Sequence, residues 1–155
     1  MRRHPVAEAL AAAVRRHDLP RASLEAMIDG QLDVLEAPAL EAAAAVDWAD
    51  AVQGSLARLV AKVLEPCIDP GAVSAAGRAW GLALLIRARL ATIETVRAPL
   101  RQALDAARRD AKATSAAALP ALLPARLARF DLAGRTPGPL RRRLSLVLAV
   151  AAGRV

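Results

Sequence analysis

Residues 24–37 read LEAMIDGQLDVLEA. Leu24, Met27, Ile28, Leu32 and Leu35 recur every three or four positions, the period of a helix rather than a strand. They make one apolar stripe. Glu25, Asp29, Asp33 and Glu36 make an acidic stripe on its flank and far side. The stretch therefore predicts a helix over Ser23–Glu36, with Ser23 as its N-cap. Gly30 weakens that helix by about 1 kcal/mol relative to alanine, so it marks a close approach of another backbone or a ligand. Asp29 and Asp33, one turn apart, share a face. The default reading is a solvated acidic face. The alternatives are a remnant ligand contact and a partner surface. Two carboxylates alone make a poor Mg²⁺ site unless substrate phosphates complete it.

Outward from this stretch the same period continues. Pro5 suits a first helical turn, which starts a helix running to His17. A third helix is strongest over Asp47–Leu64, with Val52, Leu56, Leu59, Val60 and Val63 as its core face and Gly54 inside it. Further helices are predicted over Ala72–Leu90, Ile93–Ala111, Ser115–Phe130 and Leu140–Ala152. Pro99 should kink or split the fifth of these helices. No strand pattern and no internal repeat is visible. The expectation is an all-α fold, with residues 1–155 forming a single bundle of six or seven helices.

Composition supports this and narrows the function. Aromatics are 2% of the chain and tyrosine is absent, while alanine dominates the apolar residues. The net charge of +7 rests almost wholly on arginine, a bias that a GC-rich bacterial genome also produces. The charge is spread over Arg2-Arg3, Arg15-Arg16, Arg108-Arg109 and Arg141-Arg142-Arg143, with no interleaved aromatics to stack on bases. Nucleic acid is therefore not an expected partner. Cys67 is the only cysteine, which excludes an internal disulfide, and it reads as a buried structural thiol. With His4 and His17 as the only histidines, no Cys/His zinc site can form within the chain. No P-loop, nucleophile elbow or dinucleotide fingerprint is present. No segment reaches the roughly 18 apolar residues that a membrane span needs.

Several stretches resemble the squalene/phytoene synthase family. LPRASLEAMIDGQLDVL (19–35) is similar to a family helix that carries an acidic segment. DWADAVQGSLARLVAKVL (47–64) resembles the helix after it. AAGRAWGLALLIRARL (75–90) resembles the helix that bears the second catalytic motif, and residues 118–155 resemble the C-terminus of bacterial members. The resemblance implies a partial isoprenoid-synthase-like fold. In such a fold, two aspartate-rich motifs hold Mg²⁺ against a departing prenyl diphosphate. The departures are specific. Aligned on Gly81, the second motif, Q-x-x-N-x-x-R-D, falls on Leu85, Ala88, Ala91 and Thr92. The final aspartate of the first helix falls on Val34. Asp33 is one residue away, a turn of about 100°. Against the family the chain also reads as lacking its opening helices.

The expectation is accordingly a degenerate, non-catalytic member acting as a binding or assembly factor. It is similar to the branch of respiratory complex I assembly factors. A protein partner or homo-oligomer would cover the face the opening helices leave bare. No catalytic residue, resident metal or cofactor is expected, and Mg²⁺ enters only if prenyl diphosphate binding survives. Asp29, Asp33 and Arg87 are candidate diphosphate or Mg²⁺ contacts. Trp48, Gly54, Trp80 and Gly81 are candidate cavity lining. Arg141, Arg142 and Arg143 are a candidate patch for anions or an anionic membrane. The first alternative is a Mg²⁺-dependent prenyltransferase, or a subunit of one, completed by a partner chain. The second is a peripheral membrane or lipid-binding helical protein. The expected location is cytoplasmic, with contact at the inner membrane.

Overall fold

The computed structural model describes residues 4–37, 39–135 and 137–152, and is helical throughout with no strand among them. Arg2 and Arg3, and the side chain of Glu36, lie outside the described set. The helices are α1 (Pro5–His17), α2 (Arg21–Glu36), α3 (Ala42–Trp48), α4 (Ser55–Leu64), α5 (Gly71–Arg87), α6 (Ile93–Asp110), α7 (Leu119–Leu132) and α8 (Pro139–Ala152). A π-helical segment, Ala49–Gly54, joins α3 to α4 without a break. The described chain thus has seven helical rods, as the periodicity predicts.

Local chemistry explains most of the ends. Pro5 opens α1, and Asp18 closes it in the left-handed region at φ 47°, donating its N–H to the Val14 carbonyl. Aspartate tolerates that conformation better than most residues. Pro20, with φ fixed near its helical value, leads directly into α2. Helix α2 therefore starts at Arg21, and Ser23 is an internal residue rather than the N-cap. Thr92 caps α6, its hydroxyl accepting from the Thr95 N–H at 3.3 Å. Pro120 sits in the first turn of α7, where its missing N–H does no harm, so α7 begins at Leu119 rather than Ser115. Helix α5 stops at Arg87 rather than Leu90, because Arg89 turns left-handed at φ 62° and the Leu90 N–H reaches back to the Leu85 carbonyl. Helix α6 runs through Pro99 unsplit, anchored on either side by buried Val96 and Leu100.

Helix α5 is the axis of the bundle. It packs on α6, α7, α4 and the π segment. Its buried residues, among them Val73, Ala76, Ala79, Leu82 and Leu85, fall all round it, as expected of a central helix. Two glycines set how closely the π segment approaches. A Cβ at Gly77 would lie 2.3 Å from the Gln53 carbonyl oxygen, and one at Gly81 would lie 2.7 Å from the Ala49 Cβ. Alanine fills most of the remaining core, so helix axes stay close and few large side chains are needed.

Two expectations about facing are corrected, for α4 and for Cys67, and the structure also fixes how α2 faces. The apolar stripe of α2 does not face the core: Ile28, Leu32 and Leu35 are 61%, 57% and 79% exposed. Helix α2 instead packs through its small side, with Gly30 buried and Val34 against the core. In α4, Leu56, Val60 and Val63 are partly exposed, while Ser55, Ala57, Leu59 and Ala61 are buried. The small residues take the side where backbones nearly touch. Cys67 is exposed, because the α4–α5 turn that carries it lies on the surface.

Candidate functional site

Asp29 and Asp33 do share a recess. A groove of about 460 Å³ lies between α2 and the α3–π rod, lined by Asp29, Asp33 and Asp47, with Gly30, Val34 and Trp48 among its apolar walls. Gly30 makes the crossing possible, since a Cβ there would lie 2.7 Å from Val52 Cγ2. Trp48 is buried, and its indole N–H has no hydrogen-bond partner among the described residues. Among the described residues no cationic side chain lines the groove. Asp29, Asp33 and Asp47 are all exposed. Among the described residues no group of three or more His, Cys, Asp or Glu converges to hold a metal ion. The protein residues alone thus do not assemble a Mg²⁺ site there, and a metal would need oxygens supplied by a ligand. The recess is an acidic rim over an apolar floor, suited to attract positive charge.

Arg87 lies elsewhere. Its guanidinium forks onto Asp131 of α7, Nε donating to Oδ1 at 2.9 Å and Nη2 to Oδ2 at 2.6 Å. It also stacks over the Trp80 ring, 4.7 Å from the centroid. The Arg87 side chain is 29% exposed and that of Asp131 only 9%, so the pair is largely desolvated. Trp80 lines a separate cavity of about 200 Å³ between α4, α5 and α7, with Gln53, Leu56, Val60 and Gly77. The structure thus brings Asp29, Asp33 and Trp48 together, and puts Arg87 beside Trp80.

Gly54 and Gly81 mark contact rather than cavity. Gly81 receives Ala49, and Gly54 lies against Gly77, beside its own-helix neighbours Asp50 and Arg58. Asp50 is the centre of a polar network that sequence reading misses. Arg78 of α5 donates to its carboxylate at 3.0 Å, while Arg58 donates to the hydroxyls of Ser55 and Ser74, each at 2.9 Å. The spacing Asp50, Gly54, Arg58 is a visible signal for one side of this network. Arg78 arrives from another helix and leaves no trace in the local pattern. Asp47 is missed for the same reason, since α2 and α3 meet only in the folded chain.

The positions where the second motif would fall have other occupations. Leu85 and Ala91 are core residues, Ala88 is exposed at the end of α5, and Thr92 caps α6. Arg141 and Arg143 are exposed on α8, Arg141 lying 5.8 Å over the Phe130 ring, and Arg142 is partly buried. No helix among the described residues is long and apolar enough to cross a membrane.

Comparison with protein families matches residues 1–89, more than half of the chain, to squalene/phytoene synthase. Comparisons with curated proteins and with solved structures gave no match.

Proposed function

The chain belongs to the squalene/phytoene synthase family, and we propose that within it this is a non-catalytic member that works by binding, as an assembly or partner protein. The observation that carries the reading is what occupies the second-motif positions. Leu85 and Ala91 are built into the core and the Thr92 hydroxyl is engaged in capping α6. Residues in those roles offer no ligands for a metal–diphosphate complex. Stabilisation of a departing anion is usually the largest part of such catalysis. Nor does a described cationic side chain line the acidic groove, and Arg87, the cation the sequence singles out, is held by Asp131 and Trp80. The exposed α2 stripe of Ile28, Leu32 and Leu35 supports a partner at that face.

One observation favours the second reading, an enzyme subunit completed by another chain. Asp29, Asp33 and Asp47 line a single groove. Titration calorimetry with a long prenyl diphosphate, with and without Mg²⁺, separates the two. Inorganic diphosphate is the control for loose anion binding by a basic protein. The expected result is no binding beyond the control. Mg²⁺-dependent binding that disappears in Asp29→Ala would overturn the non-catalytic reading.

A further inference from the structure

Helix α8 has two unlike sides. Ser145 and Ala149 are buried as it packs on α7. On the other side Leu140, Leu144, Val147 and Leu148 are each more than half exposed. Their spacings of four, three and one place them in one stripe along the outer face. At about 100° per residue, Arg141 and Arg143 fall on the two flanks of that stripe. An apolar stripe between guanidinium flanks is the arrangement of a helix that lies in a membrane interface.

The surroundings carry the same sign. From Leu132 to Val155 the sequence holds five arginines and no acidic side chain. The last carboxylate before that stretch, Asp131, is already taken by Arg87. Beneath α8, Arg126 of α7 donates to the Ser145 hydroxyl at 3.2 Å. Its neighbour Arg129 has its pKa lowered by burial and then by the like charges of Arg108 and Arg126.

We propose that α8 docks this protein on the surface of a membrane containing anionic lipid. Leu140, Leu144, Val147 and Leu148 enter the boundary between headgroups and acyl chains, and Arg141 and Arg143 pair with lipid phosphates. The attachment is peripheral. Nucleic acid fits the face less well, because the apolar stripe would then have no apolar counterpart. This inference stands on α8 and its neighbours and is independent of whether the acidic groove binds a ligand.

The test is co-sedimentation of the full chain with vesicles of phosphatidylcholine alone and of phosphatidylcholine mixed with phosphatidylglycerol. Binding should be tighter to the anionic vesicles by roughly tenfold or more and should weaken as salt is raised. Arg141→Gln and Arg143→Gln should each lower affinity roughly fivefold. The double variant Leu144→Ser/Leu148→Ser should also lose binding. Both leucines are exposed, so its circular dichroism and Tm should match the parent. Equal binding to both vesicle types would overturn the proposal, as would no binding to either. Undiminished binding of the double leucine variant to anionic vesicles would show only adhesion of a basic surface, and would overturn it too. A dimer dispersed by that variant, without vesicle binding, would assign the face to a second copy instead.

Discussion

Gly77 and Gly30 are both buried helical glycines, yet they meet different neighbours. At Gly77 an added methyl would strike the Gln53 carbonyl and the Gly54 Cα, which are backbone. At Gly30 it would strike a side-chain methyl of Val52. Backbone yields only if a helix moves, whereas the Val52 side chain, though buried and stiff at χ1, yields by a more local shift. Gly77→Ala should therefore destabilise by about 3 kcal/mol, a fall in Tm of roughly 6–12 °C for a domain of this size. Gly30→Ala gains helix propensity of about 1 kcal/mol but must displace the buried Val52, so it should destabilise, by less than Gly77→Ala. Thermal melts of the two variants check the order, and a larger loss at Gly30 would refute it. Arg87 and Asp131 give a second test at this scale. Asp131→Ala leaves a partly covered guanidinium without its carboxylate and should destabilise by about 2 kcal/mol, discounted from the fully buried range because Arg87 keeps some solvent. A double-mutant cycle with Arg87→Ala should show positive coupling, and simple additivity would refute the pair's contribution. The sequence alone shows Arg87 as a charge at the end of a helix. Its partner 44 residues on is out of reach of any local pattern.

Among the elements, the π segment is the one that no periodicity announces. Residues 47–64 read as a single helix, and the expected stripe of Val52, Leu56, Leu59, Val60 and Val63 assumes an even pitch. The structure widens the turn over Ala49–Gly54, and only Val52 and Leu59 of that stripe end up buried. A π turn holds one residue more than an α turn would, so it acts as a one-residue insertion. Deleting Ala51 should convert the segment to α-helix while α3 and α4 keep facing as they do. Deleting Ala79 in mid-α5 should instead rotate the rest of that central helix by about 100° and empty the core of Leu82 and Leu85. Far-ultraviolet circular dichroism and thermal melts should show a cooperative fold for the first deletion and none for the second. Loss of folding in both would mean that the π turn itself is needed. Helix ends, by contrast, were legible within a few residues, because proline and capping threonine act on their immediate neighbours. The misplaced starts of α2 and α7 both trace to a proline preceding or opening the helix.

For the whole molecule, the candidate site was legible in part. The pair Asp29 and Asp33 stands out in the sequence, and the fold does bring both to one groove. Asp47 and the unpartnered indole of Trp48 join them only because α2 crosses the α3–π rod at Gly30. The basic run Arg141–Arg143 is equally plain in the sequence. That its flanking leucines face outward was decided by α7, which takes the Ser145 and Ala149 side of α8. The sequence by itself determined the all-helical class, the number of rods and most of their limits. Those follow from propensity, period and end chemistry, which act over a few residues. The tertiary structure decided which face of each helix is inside, which charges pair, and that Cys67 and the α2 stripe are exposed. Burial is a property of whatever neighbour arrives from far along the chain. In a core built of alanine and glycine, the side where backbones fit closest wins over the side with the larger apolar residues.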